Sequence, residues 1–183
     1  MWNETYQHDL THTAVTIRPA RETDARKIAE VHDASSQAIY RGLLPDEVLA
    51  HFSIPRREAL WKRILSENKT TTFVLERDGV VIGFADAGPT RDADKDPSVT
   101  SEITTIYLDP AFWGKGLGKA LCRRALDDLR ADGFEEVTLW VLDTNRRARA
   151  FYEKMGFERD GTEKVVPMKI GERKEVRYGL RLV

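Results

Sequence analysis

Cysteine is almost missing from this sequence: Cys122 is the only one among 183 residues. A single thiol forms no internal disulfide and builds no cysteine-based zinc site, which suits a reducing compartment. Net charge is missing too, since 29 Lys and Arg stand against 30 Asp and Glu. So balanced a chain has no global field to hold nucleic acid or an anionic membrane surface, although a local basic patch for a small phosphate ligand is still allowed. No apolar run approaches ~20 residues, and the N-terminus lacks the basic-then-apolar pattern of a signal peptide. A soluble, cytoplasmic protein with no nucleic-acid or membrane partner is expected. Repeats and low-complexity tracts are lacking as well. What is present, 41% hydrophobic and 32% charged residues without a break in composition, reads as one globular domain with one substantial core.

Residues 1–14 are polar and aperiodic and are expected to form a tail, so the domain is expected to span 15–183. Val15-Thr16-Ile17-Arg18 alternates like a short strand ended by Pro19. Helical spacing starts at Thr23 or Asp24, with Ile28 and Val31 on one face, until Gly42 and Pro45 break it. A second helical stretch runs from Asp46 to Glu67, interrupted near Pro55, with Leu60, Trp61, Ile64 and Leu65 as its apolar side. Thr71–Glu76 and Val80–Ala87 flank Asp78-Gly79, a strong hairpin signal. Ser101–Leu108 is a further strand, followed by a helix from Gly116 to Ala131, a strand at Glu136–Leu142 and a helix from Thr144 to Met155. Strands near Phe157–Val166 and Glu175–Val183 finish the chain. The fold class is therefore α/β, in the α+β sense, with a mixed and mostly antiparallel sheet of about seven strands and about four helices.

Between the strand ending at Leu108 and the helix that follows lies Trp113-Gly114-Lys115-Gly116-Leu117-Gly118-Lys119. Three alternate glycines opening a helix leave backbone N–H groups uncovered at its positive end, which makes an anion seat. A P-loop is excluded because Ala120 stands where Ser or Thr would meet the metal. The dinucleotide fingerprint fails because Lys119 or Leu121, depending on the starting glycine, occupies its last position. Glycines that only make a tight turn are the bland alternative.

Here the chain resembles the GCN5-related N-acetyltransferase (GNAT) superfamily. The stretch Trp113–Gly118 matches that family's Q/R-x-x-G-x-G/A signature with Trp in place of Gln or Arg, which removes a polar side chain and keeps the amide cradle. A second segment, Asn145-Arg146-Arg147-Ala148-Arg149-Ala150-Phe151-Tyr152-Glu153-Lys154-Met155-Gly156-Phe157, is similar to the family's N-x-x-A-x-x-F-Y-x-x-x-G-F. The resemblance implies the GNAT fold and an acetyl-CoA-dependent N-acetyltransferase. It implies that the cradle from Trp113 to Lys119, including Lys115, Leu117 and Gly118, holds the carrier's pyrophosphate, and that Asn145 contacts the carrier. It also implies that the backbone of Ile106, Tyr107 and Leu108 pairs with the pantetheine arm.

Acetyl transfer to an amine needs a neutral nucleophile, a polarised thioester carbonyl and a proton for the thiolate. By alternation, Glu102, Thr104, Ile106 and Leu108 share one strand face and Ile103, Thr105 and Tyr107 the other. Similar enzymes place a Glu on this strand, so Glu102 is the candidate general base; a solvated strand-end residue is the alternative. Tyr152 lies with Ala148, Phe151 and Met155 on a buried helix face. The family match makes it the acid that protonates the thiolate, against a core tyrosine as the alternative. Asn145 could instead cap its helix. Cys122 shares a stripe with Ala125, Leu126 and Leu129 and reads as core.

No metal is expected. Asp92-Ala93-Asp94-Lys95-Asp96 opens like a calcium loop, but Pro97 and Ile103 stand where Gly and Glu are required. His8, His12, His32 and His51 have no ligand spacing. In similar proteins the acceptor is framed by Ala38–Pro45 and by roughly Glu163–Lys174, which makes Tyr40 and Arg41 candidate acceptor contacts. A small-molecule primary amine is the expected acceptor. A protein N-terminus or lysine, and a non-catalytic acyl-CoA-binding module, stay open, as does a homodimer.

Overall fold

Residues 15–42, 44–49, 53–167 and 172–182 are described in the computed structural model, apart from the Val48 side chain. The expected tail, Leu43, His51, residues 168–171 and Val183 lie outside them. The order of elements is β1 (Val15–Pro19), α1 (Ala25–Tyr40), the single turn α2 (Asp46–Leu49), α3 (Ile54–Glu67), β2 (Thr71–Arg77), β3 (Val80–Pro89), β4 (Thr100–Leu108), α4 (Leu117–Ala131), β5 (Glu136–Leu142), α5 (Arg146–Lys154), β6 (Glu158–Pro167) and β7 (Glu172–Arg181). Pro55 is no break: it sits in the first turn of α3, where an amide has no helical partner to lose. Ser53, with extended backbone, is the residue that precedes α3.

The strands form one sheet in the order β1-β2-β3-β4-β5-β7-β6. Asp78 and Gly79 both take positive φ, 53° and 76°, and close the β2–β3 hairpin. Every pairing is antiparallel except β4 with β5, which run parallel. On one face α1 and α3 lay Ile28, Val31 and Trp61 over Val74 and Phe84. Against the other face α4 presses Leu121 and Ala125 onto Phe73, Leu75 and Ala85. It also carries Cys122 and Leu126 towards Val137, Leu139 and Val176, where Phe151 of α5 and Met155 just after it also pack. Leu60 departs from the expected apolar side of α3: it is 39% exposed, because the core faces Trp61 and turns Leu60 outward.

A two-against-one bulge corrects the expected faces of β4. Asp86 pairs with Thr105 but the next residue, Ala87, pairs with Ile103, so Thr104 is extra. The side-chain alternation reverses there. Ile103 and Ile106 therefore both pack on the α4 side, while Tyr107 packs with Phe84 on the α1/α3 side.

The loop after β3 is pinned by charge. Arg177 of β7, with a side chain only 4% exposed, pairs with Asp92 (3.0 Å), Asp94 (2.7 Å) and Asp160 (2.6 Å). The Trp140 indole N–H donates to Asp92 as well. The segment that opened like a calcium loop thus directs two of its carboxylates at a guanidinium. Replacing Arg177 by Ala leaves the partly buried Asp92 and Asp160 without their counter-charge, while Asp94 is exposed, and is expected to cost about 2 kcal/mol in urea denaturation; a loss under about 0.5 kcal/mol would remove Arg177 as the pin of this loop.

Candidate active site

The ladder between β4 and β5 holds for Thr100↔Glu136, Ser101↔Val137 and Glu102↔Thr138, and then stops. Beyond Glu102 the two strands part, leaving the β5-facing edge of β4 from Ile103 to Leu108 without a strand partner. An open sheet edge inside a fold invites an extended ligand to supply the missing hydrogen bonds. Ile106, Tyr107 and Leu108 lie on that edge.

At its end comes the glycine turn. The Asp109 carboxylate accepts from the Ala111 amide (2.9 Å) and starts a short 3-10 turn at Pro110–Phe112. Gly114 and Gly116 then take φ of 77° and 79°, a conformation that side chains strain to adopt, and Gly116 caps α4. Among the described residues, the amides of residues 114–118 find no protein acceptor. Five such amides at a helix start fit an anionic oxygen cluster. Gly118 packs against Phe151 of α5, where an added Cβ would sit 3.7 Å from the ring. Leu117 is half-buried on the α4 side of the core. Lys119 is exposed, while Lys115 folds back to donate to the Ala111 carbonyl (3.1 Å) over the Phe112 ring.

Trp113, the departure from the family signature, has structural work of its own. Its indole N–H donates to the Leu108 carbonyl (2.7 Å), which also accepts from the Ser35 hydroxyl (2.7 Å). The Arg147 guanidinium lies 3.8 Å from the ring centre, a cation–π contact that ties the turn to the start of α5. Asn145 caps α5, its side-chain oxygen accepting from the Ala148 amide (3.1 Å). Tyr152 packs edge-on to Phe151 and Phe157. Burial raises its phenol pKa well above the ordinary value, and among the described residues its hydroxyl has no hydrogen-bond partner. It therefore stays protonated, with a donor to give. Cys122 is fully buried and its thiol is pushed up to about 12 by that burial, so it is inert core.

Glu102 is neither solvated nor solitary. Its side chain, 3% exposed, receives the Arg91 guanidinium through Nε (2.9 Å) and Nη2 (2.6 Å), and Arg91 itself is 70% exposed. It stands where β4 and β5 part.

On the α1/α3 side of this gap lies a cavity of about 420 Å³ whose lining includes His32, Tyr40, Arg57, Tyr107, Arg173 and Glu175. The hydroxyls of Tyr40 and Tyr107 meet at 3.3 Å. Burial raises the Tyr40 pKa. Arg41 is exposed and does not line this cavity. Sequence reasoning missed His32, Arg57 and Glu175; the one available signal was the pair Arg56-Arg57 in the first turn of α3, where basic residues oppose the helix dipole. His32 stacks on Tyr107 (4.6 Å) and its Nδ1 accepts from the Trp61 indole N–H (3.3 Å), which leaves the proton on Nε2.

Burial, and then the charge of Arg57, push the His32 pKa from 6.5 down to about 3. Because the folded value lies below the unfolded one, the unfolded chain binds the proton more readily. Stability is complete above about pH 6.5 and falls on acidification towards pH 3, with a slope approaching ~1.4 kcal/mol per pH unit. Urea denaturation between pH 7 and 4 is expected to show this slope, and His32→Asn to flatten it; equal slopes in both proteins would refute the assignment.

The comparisons agree with the geometry. The family model described as "Acetyltransferase (GNAT) family" matches residues 28–157. An uncharacterized N-acetyltransferase, YuaI of Bacillus subtilis (strain 168), is 31% identical over 146 residues, which is 79% of this chain and 81% of that protein. A mycothiol acetyltransferase of Beutenbergia cavernae is 52% identical over 60 residues, 33% of this chain and only 20% of that longer protein. Among solved structures, YncA, a putative acetyltransferase from Salmonella typhimurium with its cofactor acetyl-CoA, superimposes with a TM-score of 0.70 at 25% identity, covering 92% of this chain and 94% of that one. A putative phosphinothricin N-acetyltransferase reaches 0.73 at 20% identity, covering 93% and 99%, and shows the shared fold. With seven strands parted between β4 and β5, an amide cradle at the parting, and a family match over most of its length, the chain belongs to the acetyltransferase (GNAT) family, the N-acetyltransferases that draw their acetyl group from acetyl-CoA.

Proposed function

We propose that this protein transfers the acetyl group of acetyl-CoA to the primary amine of a small molecule, by direct attack, in the cytoplasm. The single observation that carries the reading is the run of amides at 114–118 that find no protein acceptor among the described residues, in the turn that follows the unpaired edge of β4. In it, the cradle from Trp113 to Lys119 takes the pyrophosphate, and the backbone of Ile106, Tyr107 and Leu108 takes the pantetheine arm as an added strand. Bound there, acetyl-CoA supplies an activated acyl carbon and a thiolate leaving group.

The remaining steps fall to the chain's own residues. An amide near Tyr107 or Leu108 donates to the thioester oxygen as charge builds on it. Tyr152, held protonated by burial, gives its hydroxyl proton to the departing sulfur. Glu102 takes the amine's proton through water from its place at the parting, and Arg91 governs how freely it can do so. Asn145 holds the start of α5 in register with the carrier while capping the helix. The cavity on the α1/α3 side, with Tyr40 in its wall, receives the amine. Its volume of about 420 Å³ is in the range of small-ligand sites and favours a small molecule over a protein segment. Arg41, outside the cavity lining, has no part in this reading.

The test is titration with acetyl-CoA followed by thiol-release kinetics on an amine panel. Gly116→Glu forces a side chain and a negative charge into a left-handed cradle position and is expected to weaken acetyl-CoA binding by at least ~100-fold. Unchanged affinity would sink the proposal. Tyr152→Phe is expected to lower kcat by ~10- to 100-fold with acetyl-CoA affinity retained, and full turnover would remove Tyr152 as the acid. Glu102→Gln should lower kcat by ~10- to 100-fold with acetyl-CoA affinity retained, and turnover kept at the wild-type level would leave Glu102 as a structural partner of Arg91.

A further inference from the structure

Asp86 is a buried carboxylate that the reaction as described leaves unused. It stands on β3, 3% exposed, and among the described residues hydroxyls rather than a cation supply its hydrogen bonds: Thr70 (2.8 Å) and Thr72 (2.7 Å) donate to Oδ1, and Thr104 (2.6 Å) donates to Oδ2. A charge desolvated without an ion-pair partner is a poor source of stability, so what it holds in place is the informative feature. Thr70 and Thr72 stand just before and within β2, whereas Thr104 is the extra residue of the β4 bulge. Taking the acyl-transfer reading above as its basis, with Glu102 as the base, we infer that Asp86 is a positioning residue for the reaction: by binding the Thr104 hydroxyl it locks the bulge that puts Glu102 on the same face of β4 as Tyr107 and the α1/α3-side cavity.

On β3, Phe84, Asp86 and Gly88 share one face. Phe84 packs with Val74 and Trp61 on the α1/α3 side, while Ala85 and Ala87 pack on the α4 side. On β4 the partners of Phe84, Asp86 and Gly88 are Tyr107, Thr105 and Glu102. Paired residues of neighbouring strands lie on the same side of a sheet, so Glu102, Thr105 and Tyr107 all face the α1/α3 side, where Tyr107 lines the cavity. Unbroken alternation would set Glu102 and Tyr107 on opposite faces, because an odd number of positions separates them. One extra residue therefore brings the base and the cavity to the same side. A bulge leaves that residue out of the ladder, and here its side chain replaces the missing pairing. The Thr104 hydroxyl lies 2.6 Å from the Asp86 carboxylate and 3.2 Å from the Asp86 carbonyl. Hydrogen bonds to a carboxylate are shorter and stronger than neutral ones. From the other side Thr70 and Thr72 fix the orientation of that carboxylate, so the chain around β2 backs the bulge through Asp86. Asp86 also bears on the partner of Glu102: the Arg91 pKa is raised first by the hydrogen bond to Glu102 and, among lesser causes, by the charge of Asp86.

The experiment separates this latch from ordinary packing. Thr104→Val removes one hydroxyl at nearly constant volume, and Thr72→Val removes another from the same carboxylate without touching β4. Thiol release is followed at saturating acetyl-CoA on the amine of the panel that turns over fastest, for each variant alone and combined with Glu102→Gln, with acetyl-CoA affinity titrated separately. Thr104→Val is expected to lower kcat by ~10-fold with acetyl-CoA affinity within ~3-fold of wild type, since a small misplacement of a reacting group costs rate more than carrier binding. In the Glu102→Gln background the same change is expected to cost under ~2-fold, because the loss acts through Glu102. Thr104→Ser should restore most of the turnover, and Thr72→Val should stay within ~2-fold of wild type. Asp86→Ala should lower kcat at least as far as Thr104→Val, and Thr104→Val keeps the test valid if Asp86→Ala does not fold. Wild-type turnover in Thr104→Val, an equal loss in the Glu102→Gln background, or an equal loss in Thr72→Val would overturn the inference. Backbone NOEs linking Asp86 to Thr105 and Ala87 to Ile103 follow the bulge whether or not the protein is active. They are expected to weaken in Thr104→Val and persist in Thr72→Val, and NOEs unchanged in Thr104→Val would also overturn the inference. Wild-type turnover in Glu102→Gln, or absence of acetyl-CoA binding, would instead bring down the acyl-transfer reading beneath it, and the NOEs would still decide whether Asp86 holds the bulge.

Discussion

β4 and β5 stay paired for three residues and then part, and the rest of the molecule is arranged around that parting. A parallel pair in the middle of a sheet normally runs its full length, because each unpaired backbone group inside a fold loses about a hydrogen bond's worth of free energy. Here the strands on either side are complete: β3 holds β4 from Pro89↔Ser101 to Gly83↔Leu108, and β7 holds β5 along all seven of its residues. Each half of the sheet is therefore rigid, and the incomplete edge between them persists. Inside the sheet, this parting is where its own hydrogen bonding is unfinished among the described residues.

Two sets of polar contacts keep the parting in shape. At its narrow end Arg91 grips Glu102, and Arg177 gathers Asp92, Asp94 and Asp160, so the loop leaving β3 is held to β5, β6 and β7. The hydrogen bonds from Arg177 hold the Asp94 carboxyl down at about 2, so this contact keeps its charge at all but strongly acid pH. At its wide end Ser35 and Trp113 both donate to the Leu108 carbonyl, and Arg147 stacks on Trp113. A residue that looked like a loss from the family signature is the joint between β4, the glycine turn and α5. These joints tie the cradle to α5, which carries Tyr152 more than 30 residues further along the chain.

The legible parts of the site were those made by backbone. Gly114 and Gly116 announce positive φ, Asp78-Gly79 announces its hairpin, and the i, i+3, i+4, i+7 stripe through Ala148, Phe151, Tyr152 and Met155 announces a packed helix face. The illegible parts were those made by meetings between distant side chains. Strict alternation misassigned the faces of β4 because one extra residue, Thr104, reverses the pleat, and only pairing with β3 reveals it. Leu60 was counted as core because a helix's apolar arc is wider in sequence than the strip its neighbours can cover. His32 looked ordinary until Trp61, Phe84 and Tyr107 closed around it.

By itself the sequence determined the order of elements, the glycine turn and the family, because turns and caps depend on φ, on missing side chains and on contacts within a few residues. Tertiary structure decided the length of the β4–β5 ladder, the partner of Glu102, the state of His32 and the lining of the cavity on the α1/α3 side. Those depend on desolvation and on groups such as Arg57, Tyr107 and Glu175 meeting across 50 to 120 positions of chain, where local pattern carries no information. The cradle is made mostly of backbone and so could be read early. The cavity beside it is walled by side chains from α1, α3, β4 and β7, and its lining appears only when those elements are packed together.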